Sequence, residues 1–197
     1  MGDKSIPADF FANCNGIGSI TVDISGSLGA RAFSNCTNLK SLKIGENVSS
    51  FGSSMVSGCS KLSSLNIPTK MGGLATGCFK GWTGLTSIKI PTNIKNISRG
   101  TFEGCTKLKS VEVENSETQL AEGVFEGCKN LTSIKIPLKY IGAHIGILYG
   151  LGEEDDIPLE TITIIGIPDG KILSQTFYNC TKLKEVTFKP SIKIASY

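Results

Sequence analysis

The chain has 197 residues, 40% of them hydrophobic and 19% charged, and a net charge of +3. That balance excludes a disordered chain, and no apolar run approaches the roughly 18 residues that a membrane span requires. The 20 Lys and Arg are interspersed with 17 acidic residues, so bulk charge supports neither nucleic-acid binding nor membrane insertion.

The first predicted unit opens at Ile6 and passes through Phe11 and Cys14 to Ile17, Ile20 and Val22. Its frame, F-x-x-C-x-x-L-x-x-I-x-I, occurs eight times, and five of the seven steps between copies are 22 or 23 residues long. Such a period marks a solenoid whose units cannot bury their apolar faces alone. In chain order the Leu position holds Ile17, Leu39, Leu62, Leu85, Leu108, Leu131, Leu159 and Leu183. Three residues on come Ile20, Leu42, Leu65, Ile88, Val111, Ile134, Ile162 and Val186, and two further Val22, Ile44, Ile67, Ile90, Val113, Ile136, Ile164 and Phe188. Polar residues alternate with these columns, the period of a strand with one buried face. Five residues before the aromatic lies another column, Ile6, Leu28, Phe51, Leu74, Ile97, Leu120 and Ile172, which should line the opposite wall.

Before most of the cysteines stands Gly or Asn, at Asn13, Asn35, Gly58, Gly104, Gly127 and Asn179; Gly81 fills the same place before Trp82. Both residue types tolerate left-handed backbone angles, so a short helical turn is expected to end there. Pro68, Pro91 and Pro137 follow their strands directly and close the pairing. These features predict one right-handed leucine-rich-repeat solenoid over residues 1–197, of about eight rungs, with a parallel sheet on one face and short strands or helical turns on the other. The rung over about residues 140–165 is irregular. Neither end carries a dedicated polar cap, which points to a piece of a longer solenoid, and the opening MGDKSIPADFF lacks the pattern of a secretory signal.

The pattern FxxCxxLxxIxIP, with its second apolar column and 23-residue step, resembles the BspA-like leucine-rich repeats of bacterial and some protist surface proteins. The resemblance covers nearly the whole chain, and the segment IGILYGLGEEDDIPLETITI is similar to a variant rung of that family. It implies binding without chemistry, at a cell surface or after secretion, in an adhesin or another extracellular binder. Three departures predict a locally repacked core: Val56 replaces the aromatic of the third rung, Trp82 takes the Cys position of the fourth, and Cys78 sits four residues before it.

Six of the seven cysteines, Cys14, Cys36, Cys59, Cys105, Cys128 and Cys180, share one position of the repeat. Stacking at about 5 Å leaves disulfides geometrically open, but a ladder of small buried thiols is the expectation. No C-x-x-C pair with a nearby His suggests zinc, and no cofactor is expected. Catalysis would have to rest on the only histidine, His144. Glu153, Glu154, Asp155 and Asp156 are read as a solvated loop and not a Ca²⁺ site.

Outward positions of the strands carry the candidate binding residues. Two after the Leu stand Ser41, Ser64, Ser87, Ser110, Ser133 and Thr161; four after it stand Lys43, Asn66, Lys89, Glu112, Lys135 and Thr163. Together they form a hydroxyl-rich, mildly basic stripe suited to a protein partner, of host or matrix type if the family resemblance holds. Tyr149 and the 153–156 loop are a second candidate contact. The same stripe would equally serve an intracellular scaffold.

Overall fold

The computed structural model describes residues 4–137, 157–166 and 180–189. In chain order its strands are β1 (Ser19–Val22), β2 (Gly26–Leu28), β3 (Ser41–Ile44), β4 (Val48–Phe51), β5 (Gly73–Leu74), β6 (Ser87–Ile90), β7 (Asn96–Ile97), β8 (Ser110–Val113), β9 (Gln119–Leu120), β10 (Ser133–Pro137), β11 (Thr161–Ile165) and β12 (Glu185–Lys189). Every pairing between them is parallel, so the chain climbs by about one strand spacing per turn.

The predicted columns fall on matched registers. Ile88, Val111, Ile134 and Ile162 stand side by side across β6, β8, β10 and β11, and Ile20 faces Leu42 across β1 and β3. Leu39, Leu62, Leu85, Leu108, Leu131 and Leu159 are fully buried beneath them. The second column forms the opposite wall, with Leu28 beside Phe51 and with Leu74, Ile97 and Leu120 in one row. Ile6 joins it through a single bridge to Leu28. Ile172 lies outside the described residues, as does most of the irregular rung, yet the strand that follows, β11, pairs directly with β10.

On the third side of the coil, where short helical turns are expected, the described residues make tight turns and no helix. Ala32 donates its N–H to the Gly29 carbonyl and Cys36 to that of Phe33, each a three-residue step. The amides of Arg31, Phe33 and Asn35 donate instead to Ser53, Met55 and Ser57 of the next rung. An α-helix would need those donors for its own carbonyls, so the lateral ladder excludes it. The expected left-handed residues are present, from Asn13 (φ 63°) to Gly127 (φ 72°). A second left-handed column four residues earlier, Asp9, Arg31, Ser54, Gly77, Gly100 and Gly123, reverses the chain at the start of the same segment.

All seven cysteines are free thiols. Cys36, Cys59, Cys105 and Cys128 each donate through Sγ, at 3.0–3.2 Å, to the carbonyl of the aromatic position one rung earlier: Phe11, Phe33, Phe79 and Phe102. Trp82 keeps a donor where the fourth rung lacks the cysteine, its Nε1 lying 2.7 Å from the Leu62 carbonyl. The aromatic column stacks from Phe102 to Phe125 and from Phe11 to Phe33. Around the smaller Val56 it repacks, and Phe79 meets both Phe51 and Trp82.

Both walls are interrupted at one level. The outer ladder consists of β1–β3 and, separately, β6–β8–β10–β11–β12; the opposite wall consists of β2–β4 and, separately, β5–β7–β9. Residues 64–67, the expected strand of the third rung, form no strand, and Ser64, Leu65 and Asn66 make no main-chain to main-chain hydrogen bond among the described residues. Asn66 uses its side chain instead, with Oδ1 accepting from the Ile44 N–H at 3.0 Å and Nδ2 donating to the Ile44 carbonyl at 2.6 Å. Turn-side bonds from Ser54, Met55 and Gly58 to Gly77, Cys78 and Gly81 carry the coil across this seam.

Candidate interaction surface

Strand alternation turns one residue in two away from the core, and the parallel register places those residues in rows across the sheet. One row is Ser87, Ser110, Ser133, Thr161 and Glu185; the next is Lys89, Glu112, Lys135, Thr163 and Thr187. The face they form is a shallow trough of about 650 Å³, reaching from Ser64 and Leu65 at the seam to Lys189 on β12.

Of the stripe predicted from sequence, Ser64, Ser87, Lys89, Ser110, Glu112, Ser133, Lys135 and Thr163 come together in this trough. Thr161 stands in the serine row and donates its hydroxyl to Ser133 Oγ at 2.8 Å. Ser41 and Lys43 belong to the smaller sheet beyond the seam, where they face Ser19 and Thr21. Asn66 departs from the expected role, since its amide is committed to the Ile44 backbone. Tyr149, Glu153, Glu154, Asp155, Asp156 and His144 lie outside the described residues.

The lysines of the face are largely paired, which tempers its expected basic character. Lys135 Nζ lies 2.6 Å from Glu112 Oε1, directly across the β8–β10 register, and Lys89 Nζ lies 2.8 Å from Glu114. The bonded Lys135 ammonium holds the Glu112 carboxyl below its ordinary value, and Lys89 and Lys189 add to that field. Glu114 in turn raises Lys89. Glu114 and Lys189 were not among the predicted site residues. They occupy the next step of the same alternation, six residues after the Leu, where three other rungs place Pro68, Pro91 and Pro137.

Chemically the trough offers hydroxyls, ammonium groups and a carboxylate on a nearly flat floor. Among the described residues no group of three or more His, Cys, Asp or Glu side chains is placed to hold a metal ion, and no helix is long and apolar enough to cross a membrane.

Comparison with known proteins is consistent with this architecture. The family model for the BspA type leucine rich repeat region matches residues 4–132 and 156–197 in six copies. No curated protein matches the chain. A crystal structure of a leucine-rich repeat protein from Bacteroides ovatus is similar in fold, with a TM-score of 0.58 and 16% identity over 95% of this chain; the chain spans 64% of that protein. A leucine-rich repeat protein from T. pallidum gives the same TM-score, with 19% identity over 84% of this chain and 78% of its own. Rungs in register, a cysteine bonded to the turn before it and the matched copies agree on one assignment: the chain belongs to the BspA type leucine rich repeat family.

Proposed function

We propose that the chain is a non-enzymatic protein-binding module of a cell-surface adhesin or another host- or matrix-interacting protein, acting through the outer face of its strand ladder. The observation that carries this reading is the trough from Ser64 to Lys189, where outward side chains of successive rungs form one surface. Solenoids bind along such sheets because neighbouring rungs present side chains at a fixed spacing. Among the described residues the face carries no aromatic anchor, which fits modest affinity or several weak contacts acting together.

The test is capture of immobilised matrix proteins by the intact chain and by a Ser110→Arg/Ser133→Arg variant. Two guanidinium groups on the floor of the trough should abolish capture while leaving the far-UV spectrum unchanged. Capture that persists in the variant moves binding off this face, and no capture of any matrix protein removes the adhesin role. A second reading, an intracellular interaction scaffold using the same face, is favoured by the seven free thiols, which suit a reducing compartment.

A further inference from the structure

The trough is uneven in charge and mixed in hydrogen-bonding capacity, and this bears on what it receives. Its charged lining is Lys89, Lys135, Lys189 and Glu112. Lys135 is spent on Glu112, whereas Lys189 has no ion pair among the described residues and Lys89 stays more than half exposed beside Glu114. Glu112 accepts from Lys135 through Oε1, and among the described residues Oε2 accepts no hydrogen bond. The hydroxyls of Ser87 and Ser110 make no hydrogen bond among the described residues, and at the seam end the main chain of Ser64 and Leu65 is likewise unpaired. The lining therefore presents donors, acceptors and more ammonium groups than carboxylates in neighbouring rows.

We propose that this trough takes an extended acidic peptide laid across the strands, its carboxylates on Lys89 and Lys189 and its amides on Ser87, Ser110 and Oε2 of Glu112. The inference rests on the binding reading given above and adds the chemistry of the partner. From β6 to β12 the floor spans five strands. At about 4.8 Å per strand that is about 19 Å, which an extended chain crosses in about six residues. A densely sulfated glycan fits less well, because its closely spaced sulfates would be repelled by the Glu112 carboxylate. A neutral sugar would lack the aromatic platform that sugar rings stack on. A peptide supplies both amide donors and carboxylates, which is the complement of what lines the floor.

The experiment is fluorescence anisotropy of a labelled decapeptide of alternating Glu and Ala with the full chain, beside a Lys–Ala decapeptide and a sulfated heparin oligosaccharide. The Glu–Ala peptide should bind and weaken as salt rises, and Lys89→Gln/Lys189→Gln should lower its affinity by about five- to tenfold. Ser110→Glu/Ser133→Glu should displace it by filling the floor with like charge, and far-UV circular dichroism confirms that each variant is folded. Failure of the Glu–Ala peptide to bind, equal binding of the Lys–Ala peptide, preference for heparin, or indifference to the lysine substitutions would overturn the proposal. If the peptide fails while matrix capture is still lost in the arginine variant, the acidic ligand is wrong and the surface stands. If the peptide binds the Ser110→Glu/Ser133→Glu variant unchanged, the placement in the trough is wrong.

Discussion

A cysteine fills the position three before the Leu in six of the eight copies of the frame because it is small, apolar and able to donate to one carbonyl. Serine would meet the last demand at a higher desolvation cost, and alanine would leave the Phe33 carbonyl without its partner at Cys59. Cys59→Ala is therefore expected to lower stability by about 1–2 kcal/mol, read as a shift in the urea midpoint with unchanged slope. Burial also pushes the Cys59 and Cys78 thiols from the ordinary 9.0 up to about 12. The unfolded chain then gives up these protons first, so the stability they contribute is whole below about pH 9 and is lost as pH rises toward 12. Each thiol accounts for about 1.4 kcal/mol per pH unit within that window. Urea midpoints at about pH 8 and about pH 10.5 should fall steeply in the native chain and less steeply in Cys59→Ala/Cys78→Ala. Equal slopes would assign the alkaline loss to other groups. The left-handed positions make a separate demand, and at Gly104 (φ 69°) a Cβ would meet only Gly81 backbone at 3.9 Å or more. Gly104→Ala should accordingly cost about 1–2 kcal/mol by thermal melting, through backbone strain and not through a clash.

At the level of the rung, the sequence revealed most of the fold because each column repeats one residue class at one spacing. The strand ladder, the opposite wall and the Gly/Asn turn were all readable from that repetition. The second left-handed column was not, since Asp9, Arg31 and Ser54 conceal what Gly77, Gly100 and Gly123 share. Nor was the role of Asn66, which looks like any outward polar residue until its amide is found on the Ile44 backbone. The ion pairs of the face depend on residues a full turn apart, such as Glu112 and Lys135, and need the register before they can be seen. Asn66→Ala removes two bonds from Ile44 with nothing to replace them, so a loss of about 1–2 kcal/mol is expected, where outward Ser64→Ala should be silent. Val56 and Trp82 form a complementary pair of departures, one short of the repeat's usual bulk and one in excess of it. Trp82→Cys alone should cost about 3–5 kcal/mol, and Val56→Phe alone about 1–3 kcal/mol by overpacking. If they share one space across the seam, the double variant will be more stable than the sum of the single losses by about 1 kcal/mol or more. Strict additivity would show that the two sites repack independently.

Across the whole molecule, the coincidence of both wall breaks at one level divides a continuous apolar core into two hydrogen-bonded stacks. In a solenoid, stability is close to a sum of each rung and its contacts with its neighbours. An interface that lacks sheet bonds on both walls and keeps only turn-side bonds and the side-chain bonds of Trp82 and Asn93 is therefore the weakest link along the axis. Hydrogen exchange under native conditions tests this directly, because local opening follows local free energy. The amides of Ser64, Leu65 and Asn66 should exchange quickly, while those of Val111 and Ile134, buried and flanked by strands on both sides, should exchange only with global unfolding. Amides of β1 and β3 should form an intermediate class that opens as one unit. Asn66→Ala should speed that class by about tenfold, since the Asn66 clamp is what ties the unpaired segment to β3, and it should leave β8 and β10 untouched. Uniform protection from β3 to β10 would instead mean that the buried contacts alone bind the two stacks into one cooperative unit. In that case the trough at the seam end would be a rigid floor and not the margin between two separately opening parts.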